Sequence, residues 1–344
     1  RETLLDWYAR HGRRLPWRET RDPYHIWVSE IILQQTRIAQ GTDYYLRFVE
    51  RFPDIASLAA ASEDQVLKQW QGLGYYSRAR NLHRAAQLLA EQFDGQFPRS
   101  YHQVRSLPGI GDYTAAAICS IAYRMPYAVL DGNVYRVLSR YFDLDTPIDT
   151  TAGKKLFTRL ANEQLDQDRP GDYNQAIMDF GALQCTPSLP ECPLRPHCRA
   201  QAAGTVALRP AKSKRSEPSP RYLHYFHIVS PEGTWVRRRT EDDIWRGLYE
   251  FPRIETPDDL PAEQMLSDVR YKALIRSAAT AKVLETLPPV KHLLSHRVLH
   301  IRFYRVSIPT PGFSLEGYAP ATKEDLTHFA FPRPLAAYLE RSAR

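Results

Sequence analysis

No apolar run in this chain approaches the roughly 20 residues needed to cross a bilayer, and no basic-then-apolar leader precedes Leu4. The sequence therefore reads as neither membrane-spanning nor secreted, and its expected place is the cytoplasm. Cysteine is scarce, 4 in 344 residues. Crowding of Cys185, Cys192 and Cys198 argues against a secreted disulfide framework, and in a reducing compartment it suggests metal. Internal repeats are absent. The one biased segment is TVALRPAKSKRSEPSPR, residues 205–221, which is rich in proline, serine and lysine, poor in large apolar side chains, and reads as a linker.

What is present divides around that linker. The length exceeds the usual single-domain size, so two domains are expected. From Leu4 to Ala203 apolar residues recur at helical spacing, as in Leu67, Trp70 and Leu73 or Leu82, Ala85, Ala86 and Leu89, which makes residues 1–204 an all-α domain. One helix is marked from its first turn: Asp22 can cap, Pro23 suits the first position, and HIWVSEIILQQ follows without a breaker. Residues 222–344 change character. LHYFHIV, a Pro231-Glu232-Gly233 turn and TWVRRR form a β-hairpin pattern, and Leu299, Ile301 and Phe303 alternate with Val298, His300, Arg302 and Tyr304. LPAEQMLSDV and PLAAYLERSAR supply short helices, so the C-terminal third is mixed α and β.

The net charge is +7. Arg78, Arg80, Arg84, Arg195, Arg199 and the run Lys212, Lys214, Arg215 often stand beside aromatics or glycines, which favours a polyanionic partner. In LPGIGDYT, Gly109 and Gly111 flank one apolar residue, so a tight turn can aim amide N–H groups and a helix N-terminus at one phosphate; an ordinary corner between helices is the alternative. Glu30 lies mid-helix among Trp27, Val28, Ile31 and Ile32. If that face is buried, desolvation favours the neutral carboxyl, a proton donor near neutral pH; if it is solvated, Glu30 is a surface residue. Asp131, in an Asp-Gly-Asn turn, is either a helix cap or a second working carboxylate.

Four blocks in order, WVSEIILQQT, GLGYYSRARNL, LPGIGDYT and VLDGNVYRV, resemble the adenine DNA glycosylase (MutY) family of the helix-hairpin-helix base-excision-repair superfamily, over nearly the whole chain. The resemblance implies a multidomain α plus α+β fold: a six-helix barrel with a helix-hairpin-helix and a module carrying the cysteine loop 185–198, then a Nudix-like α/β sandwich that recognises 8-oxoguanine. The implied activity is hydrolysis of the N-glycosidic bond of adenine mispaired with 8-oxoguanine or guanine in double-stranded DNA. Glu30 matches the general acid and Asp131 the carboxylate facing the oxocarbenium ion, the two-carboxylate logic of glycosidases. Tyr113 and Asn133 match residues that orient them, Gln35 and Tyr75 the intercalating positions, Gly109 and Gly111 the DNA-backbone anchor, and Trp17 and Arg18 the adenine pocket.

Leu294, Ser295 and His296 match a Phe-Ser-His motif that reads the oxidised base, with leucine replacing phenylalanine. The glutamate-rich magnesium signature of Nudix hydrolases is absent, so nucleotide hydrolysis is not expected. Bifunctional relatives resembling endonuclease III carry a lysine where Tyr113 stands, and a phenol cannot form a Schiff base. The family also implies a [4Fe–4S] cluster on four cysteines spaced C-x6-C-x2-C-x5-C. Here Cys185, Cys192 and Cys198 keep the first and last spacings, and one ligand is missing. Three outcomes stay open: His197 or an exogenous ligand completes the set, a three-iron cluster forms, or the loop folds without metal. Arg195 and Arg199 are expected to face phosphate in each case, and Cys119 is expected to be a small buried apolar residue. The protein is expected to be a monomer that meets the nucleoid during repair. Two rival readings are a glycosylase/lyase for oxidised pyrimidines, opposed by Tyr113 and the long C-terminal domain, and a non-catalytic mismatch binder, opposed by the joint presence of Glu30, Tyr113, Asp131 and Asn133.

Overall fold

The structure is a computed structural model that describes residues 1–186, 192–213, 217–278, 280–309 and 311–342. Lys214 and Arg215 of the basic run, and residues 187–191 of the cysteine loop, lie outside the described residues. The chain forms two compact units, the first made of residues 1–61 and 81–215, the second of 62–80 and 216–344.

The first unit is helical throughout. The Pro23–Leu33 helix starts where the sequence places it, with the Asp22 side chain accepting from the Tyr24 N–H at 2.8 Å. Residues 26–32 are buried without interruption, so this helix is enclosed on all sides instead of carrying a solvated stripe. The Asp112–Tyr123 helix is similarly enclosed, and its run of small side chains at Ala115, Ala116 and Ala117 permits close helix packing. Leu4, Leu5 and Trp7 of the first helix join Val134, Val137, Leu138, Phe157, Ala176 and Ile177 in one core. Removing a side chain such as Phe157, fully buried there, would cost about 3–5 kcal/mol.

Half of the expected linker belongs to this unit. Val206 is buried, Arg209 pairs with Asp143 at 2.9 Å, and Ser213 binds the Asp149 carboxylate through its N–H and hydroxyl. The proline-serine-lysine composition hides these contacts because they are made by backbone and charge.

The second unit is built on a mixed sheet. Its strands are β1 (Ser219–Ser230), β2 (Gly233–Arg238), β3 (Tyr249–Glu250), β4 (Arg253–Thr256), β5 (Lys282–Thr286), β6 (Val290–Leu293), β7 (Arg297–Ser307) and β8 (Ala319–Ala321). The order is β3-β2-β1-β7-β5, with β4 on β1, β6 on β7 and β8 on β2. β1 and β7 run parallel, in register from Ser219↔Arg297 to Val229↔Ser307, and β2 returns from β1 as the predicted hairpin.

One face carries Leu223, Tyr225, Leu299, Ile301 and Phe303 against Leu335 and Tyr338 of the Arg333–Ser342 helix. The other carries Phe226, Ile228, Tyr304 and Val306 against Met265 and Tyr271 from two short helices. Tyr304, expected on the polar side of β7, is fully buried because helices cover that face too. Segment 62–80 joins this unit through charge and backbone: Arg238 pairs with Glu63 at 2.6 Å and Asp64 at 3.2 Å, and the Lys68 ammonium donates to the Phe329 carbonyl at 3.0 Å.

Candidate active site

Glu30 projects from the enclosed helix into a cavity of about 490 Å³ in the first unit. Trp17, Arg18, Tyr113, Asp131 and Asn133 line the same cavity, so six of the residues singled out in the sequence meet around one space. Burial pushes the Glu30 carboxyl up to about 7; the nearby Asp131 charge adds to the rise, while a Tyr113 hydrogen bond and Arg18 oppose it. Near neutral pH much of Glu30 is therefore a carboxylic acid. The Tyr113 hydroxyl reaches both Glu30 and, at 3.4 Å, Sδ of Met178, and burial together with the two carboxylates holds that phenol well above its ordinary range.

Asp131 is buried as well but has different partners. It caps the Gly132–Tyr141 helix, accepting from the Val134 N–H at 2.8 Å and from Asn133 Nδ2 at 2.8 Å. Burial raises its pKa, but these donors favour the ionised form. The two readings of Asp131 are thus compatible, because the cap bonds leave the carboxylate at the cavity wall. Asn133 is fixed in turn by Arg136, whose guanidinium donates to Asn133 Oδ1 at 2.9 Å and to the Cys185 carbonyl at 2.8 Å.

Glu30, Tyr113 and Asp131 also border a second, wider groove of about 1040 Å³ that holds Gln35, Gly109 and Gly111. Pro108 and Gly109 occupy the centre of a turn closed by the Ile110 N–H on the Leu107 carbonyl at 3.1 Å, and Gly109 has φ +77°. Any Cβ there would lie 2.7 Å from Asn81 Cβ. Gly111 stands at the N-cap of the Asp112–Tyr123 helix and supplies no side-chain cap, which leaves first-turn amides facing the groove. Gln35 holds φ +56° just beyond the Glu30 helix, a left-handed conformation costing a non-glycine residue about 1–2 kcal/mol.

The remaining nominated residues lie elsewhere. Tyr75 is half exposed, has φ +48°, and places its hydroxyl 2.6 Å from Ser295 Oγ within the second unit. Leu294, Ser295 and His296 form the tight β6–β7 turn, closed by the Leu294 N–H on the Arg297 carbonyl at 2.9 Å. Ser295 and His296 are exposed, whereas Leu294 packs partly on the core.

The cysteines do not fit a four-thiolate cluster. No group of three or more His, Cys, Asp or Glu side chains among the described residues is arranged to hold a metal ion. Arg140, buried, donates to Cys185 Sγ at 3.5 Å and to the Thr186 carbonyl at 2.8 Å, and the Cys198 thiol donates to the Arg140 carbonyl at 3.4 Å. Burial raises the Cys192 thiol, and the neighbouring Cys185 and Cys198 add to the rise. His197 is exposed, and Cys119 is fully buried in the Asp112–Tyr123 helix.

Sequence reasoning missed the segment that backs the cavity. The Pro170–Asp179 helix is buried along nearly its whole length and runs into a π-turn, Phe180–Gln184. It contributes Gln175 and Met178 to the cavity wall, and Asp179 behind it binds Arg13 and Arg18. Two residues further, Gly181 lies against Asn133, where an added Cβ would be 2.7 Å from Asn133 Cβ and 2.9 Å from its carbonyl oxygen. The available signal was a lone Asp and Gly, Asp179 and Gly181, inside the apolar text AIMDFGAL.

Residues 28–163 match the family model of the HhH-GPD superfamily base excision DNA repair protein, and residues 224–341 match that of the NUDIX domain. Among solved structures, a thermostable thymine-DNA glycosylase is similar at 28% identity and a TM-score of 0.55, covering 59% of this chain and 94% of that one. An endonuclease III–DNA complex shares the fold at 20% identity and a TM-score of 0.51, with the same coverage. A helical unit with acidic groups at the mouth of a glycine-hairpin groove is thus a DNA N-glycosylase of the helix-hairpin-helix class, followed by a Nudix-like unit.

Full-length relatives narrow the class. The adenine DNA glycosylases of Buchnera aphidicola subsp. Baizongia pistaciae and subsp. Acyrthosiphon pisum are 34% and 32% identical over 305 and 347 residues, covering 87% and 98% of this chain and 84% and 96% of theirs. That of Homo sapiens is 32% identical, covering 94% of this chain and 68% of its own. The chain belongs to the adenine DNA glycosylase family, enzymes of DNA base-excision repair.

Proposed function

We propose that this enzyme removes adenine paired with 8-oxoguanine, and with guanine, from duplex DNA by hydrolysis, and leaves the strand uncut. The observation that carries the reading is a pair of buried carboxyls around one cavity with different partners: burial lifts Glu30 to about 7, so that it keeps a proton to give, while Asp131, also raised by burial, accepts from two N–H donors that work against that rise. Adenine is a poor leaving group as an anion. Glu30 gives its proton to a ring nitrogen as the N-glycosidic bond breaks, and the bonding pair leaves with the base. The ionised Asp131 faces the positive charge left on the sugar. Water then adds to the sugar carbon and returns a proton to Glu30, so atoms and charge balance.

The target base lies inside the duplex and must be turned out before Glu30 can reach it. Gly109, Gly111 and the amides behind them supply a phosphate anchor in the groove, and Gln35, at the groove edge in its left-handed conformation, supplies a wedge into the stack. The half-exposed Tyr75 is assigned the second wedge. Ser295 and His296, exposed on a short turn, offer hydrogen-bonding groups to the edge of the opposing base, and the hydrogen bond between the Ser295 and Tyr75 hydroxyls links this turn to the wedge. Tyr113, hydrogen-bonded to Glu30 in the cavity wall, is a phenol that cannot form a Schiff base, which supports hydrolysis over lyase chemistry.

The test is single-turnover adenine release from A:8-oxoguanine and A:G duplexes, with borohydride added in parallel. Glu30→Gln should bind duplex yet release adenine at least about a hundredfold more slowly. Undiminished release by that variant removes Glu30 from its role, and a borohydride-trapped adduct in the native enzyme restores the lyase reading.

A further inference from the structure

Asp179 has no direct place in this chemistry, yet it is among the most heavily bonded side chains in the first unit. Its side chain is fully buried at the end of the Pro170–Asp179 helix. One fork of donors comes from Arg18, NH1 to Oδ2 at 2.7 Å and NH2 to Oδ1 at 2.9 Å. A second comes from Arg13, whose backbone N–H reaches Oδ2 at 2.9 Å and whose Nε reaches Oδ1 at 2.9 Å, with an ion pair through NH2 as well. Arg18 also donates to the Arg13 carbonyl at 3.2 Å and lies over the Tyr8 ring at 5.7 Å. Both arginines line the cavity that contains Glu30.

A bidentate carboxylate fixes a guanidinium in plane and position. It also places a negative charge beside a positive one. Without it, Arg18 would present an uncompensated cation to Glu30 from inside a low-dielectric wall, where such a charge acts strongly. The groups facing Glu30 are Tyr113 from the Asp112–Tyr123 helix, Asp131 from the cap of the next helix, Arg18 from the Pro16–Arg18 turn with Arg13 and Asp179 behind it, and Arg37 on the cavity wall. Arg18 is the cation that acts on Glu30, and its effect there is already only the smallest of the contributions.

We propose that Asp179 is a positioning residue for base release: it clamps Arg18 and Arg13 in the cavity wall and cancels the charge of Arg18, so that Glu30 keeps the proton it gives to the leaving base. The inference rests on the assignment of Glu30 as proton donor. Burial pushes Asp179 up and the arginine hydrogen bonds outweigh it, leaving the carboxyl ionised well below neutral pH. The clamp is therefore constant across the range in which Glu30 titrates.

The test is the pH profile of single-turnover adenine release by the full chain on an A:8-oxoguanine duplex, for the native enzyme, Asp179→Asn, Arg18→Gln and the double variant. Asp179→Asn preserves shape and removes charge. Its alkaline limb should move about one unit to lower pH, so that the rate falls about tenfold near pH 7.5 and stays within about twofold of native near pH 5.5. Adding Arg18→Gln should return the limb towards its native position, because the cation that Asp179 balanced is gone. Equal loss at all pH values with an unmoved limb overturns the proposal in favour of a purely structural role, and so does a limb that Arg18→Gln fails to restore. If Asp179→Asn does not fold, the single Arg18→Gln variant still decides: its limb should move to higher pH or stay, and a move to lower pH overturns the proposal. Glu30→Gln on the same duplex separates this inference from the one beneath it, since release that survives Glu30→Gln sinks the proton-donor assignment itself.

Discussion

Replacing Glu30 by glutamine should make the protein more stable above neutral pH while removing its activity. The sign follows from linkage. Burial raises the folded-state pKa from 4.5 to about 7, so between those values the folded state binds more protons than the unfolded chain, and stability falls as pH rises. Stability that the protonated carboxyl permits is complete below about pH 4.5 and is lost as pH passes through about 7. The loss corresponds to about 3 kcal/mol at alkaline pH, a large share of the about 5–15 kcal/mol typical of a folded protein. Glutamine matches the neutral acid in shape, can still bond Tyr113, and never ionises. Urea unfolding of native enzyme and Glu30→Gln, followed as the midpoint of the helical signal, should give nearly equal stabilities near pH 4.5. The variant's advantage should grow to about 3 kcal/mol near pH 8.5. Other titrating groups are shared by both proteins and largely cancel in the difference. A difference that is flat in pH, or that favours the native enzyme at high pH, would refute the claim that Glu30 is held protonated by its surroundings.

Two further outcomes test the back of the site and the cysteine loop. In Gly181→Ala the new Cβ meets Asn133 at 2.7 Å, so the loop that aims Asp131 must move by several tenths of an ångström. We expect a stability loss of about 1–3 kcal/mol and a fall in adenine release of about a hundredfold with duplex binding retained; a native release rate would show that the Asn133 contact does not set the site. Iron and acid-labile sulfide measured on anaerobically purified protein should come to fewer than the 4 atoms of each per chain that a complete cluster holds. A full complement would mean that a fourth ligand outside Cys185, Cys192 and Cys198 is recruited.

The parts of the molecule legible in the sequence are those whose causes are local. The Asp22–Pro23 start of the Glu30 helix, the hairpin of β1 and β2, and the Pro108-Gly109 turn are each fixed by a few adjacent residues, and each stands where the pattern puts it. Glu30, Tyr113, Asp131 and Asn133 were recognisable because each sits in such a block. Their surroundings were not. Whether Glu30 faced water or a closed wall depended on helices up to about 150 residues away in sequence, and the 3.6-residue period alone could not choose.

Asp179 is the sharper case. Its partners precede it by 161 and 166 residues, and in its own helix it is simply an acid in an apolar run. A buried acid without a partner would be costly enough to exclude, so its presence in AIMDFGAL was a statement that cations waited elsewhere; which cations, only the fold could say. Gly181 follows the same logic through sterics, its missing side chain being required by an asparagine 48 residues earlier in the chain. One segment thus backs both carboxyls of the proposed chemistry, Asp179 through Arg18 beside Glu30 and Gly181 through Asn133 beside Asp131. On the proposed mechanism, the setting of the two carboxyls is consequently a property of the Pro170–Gln184 segment as much as of Glu30 and Asp131.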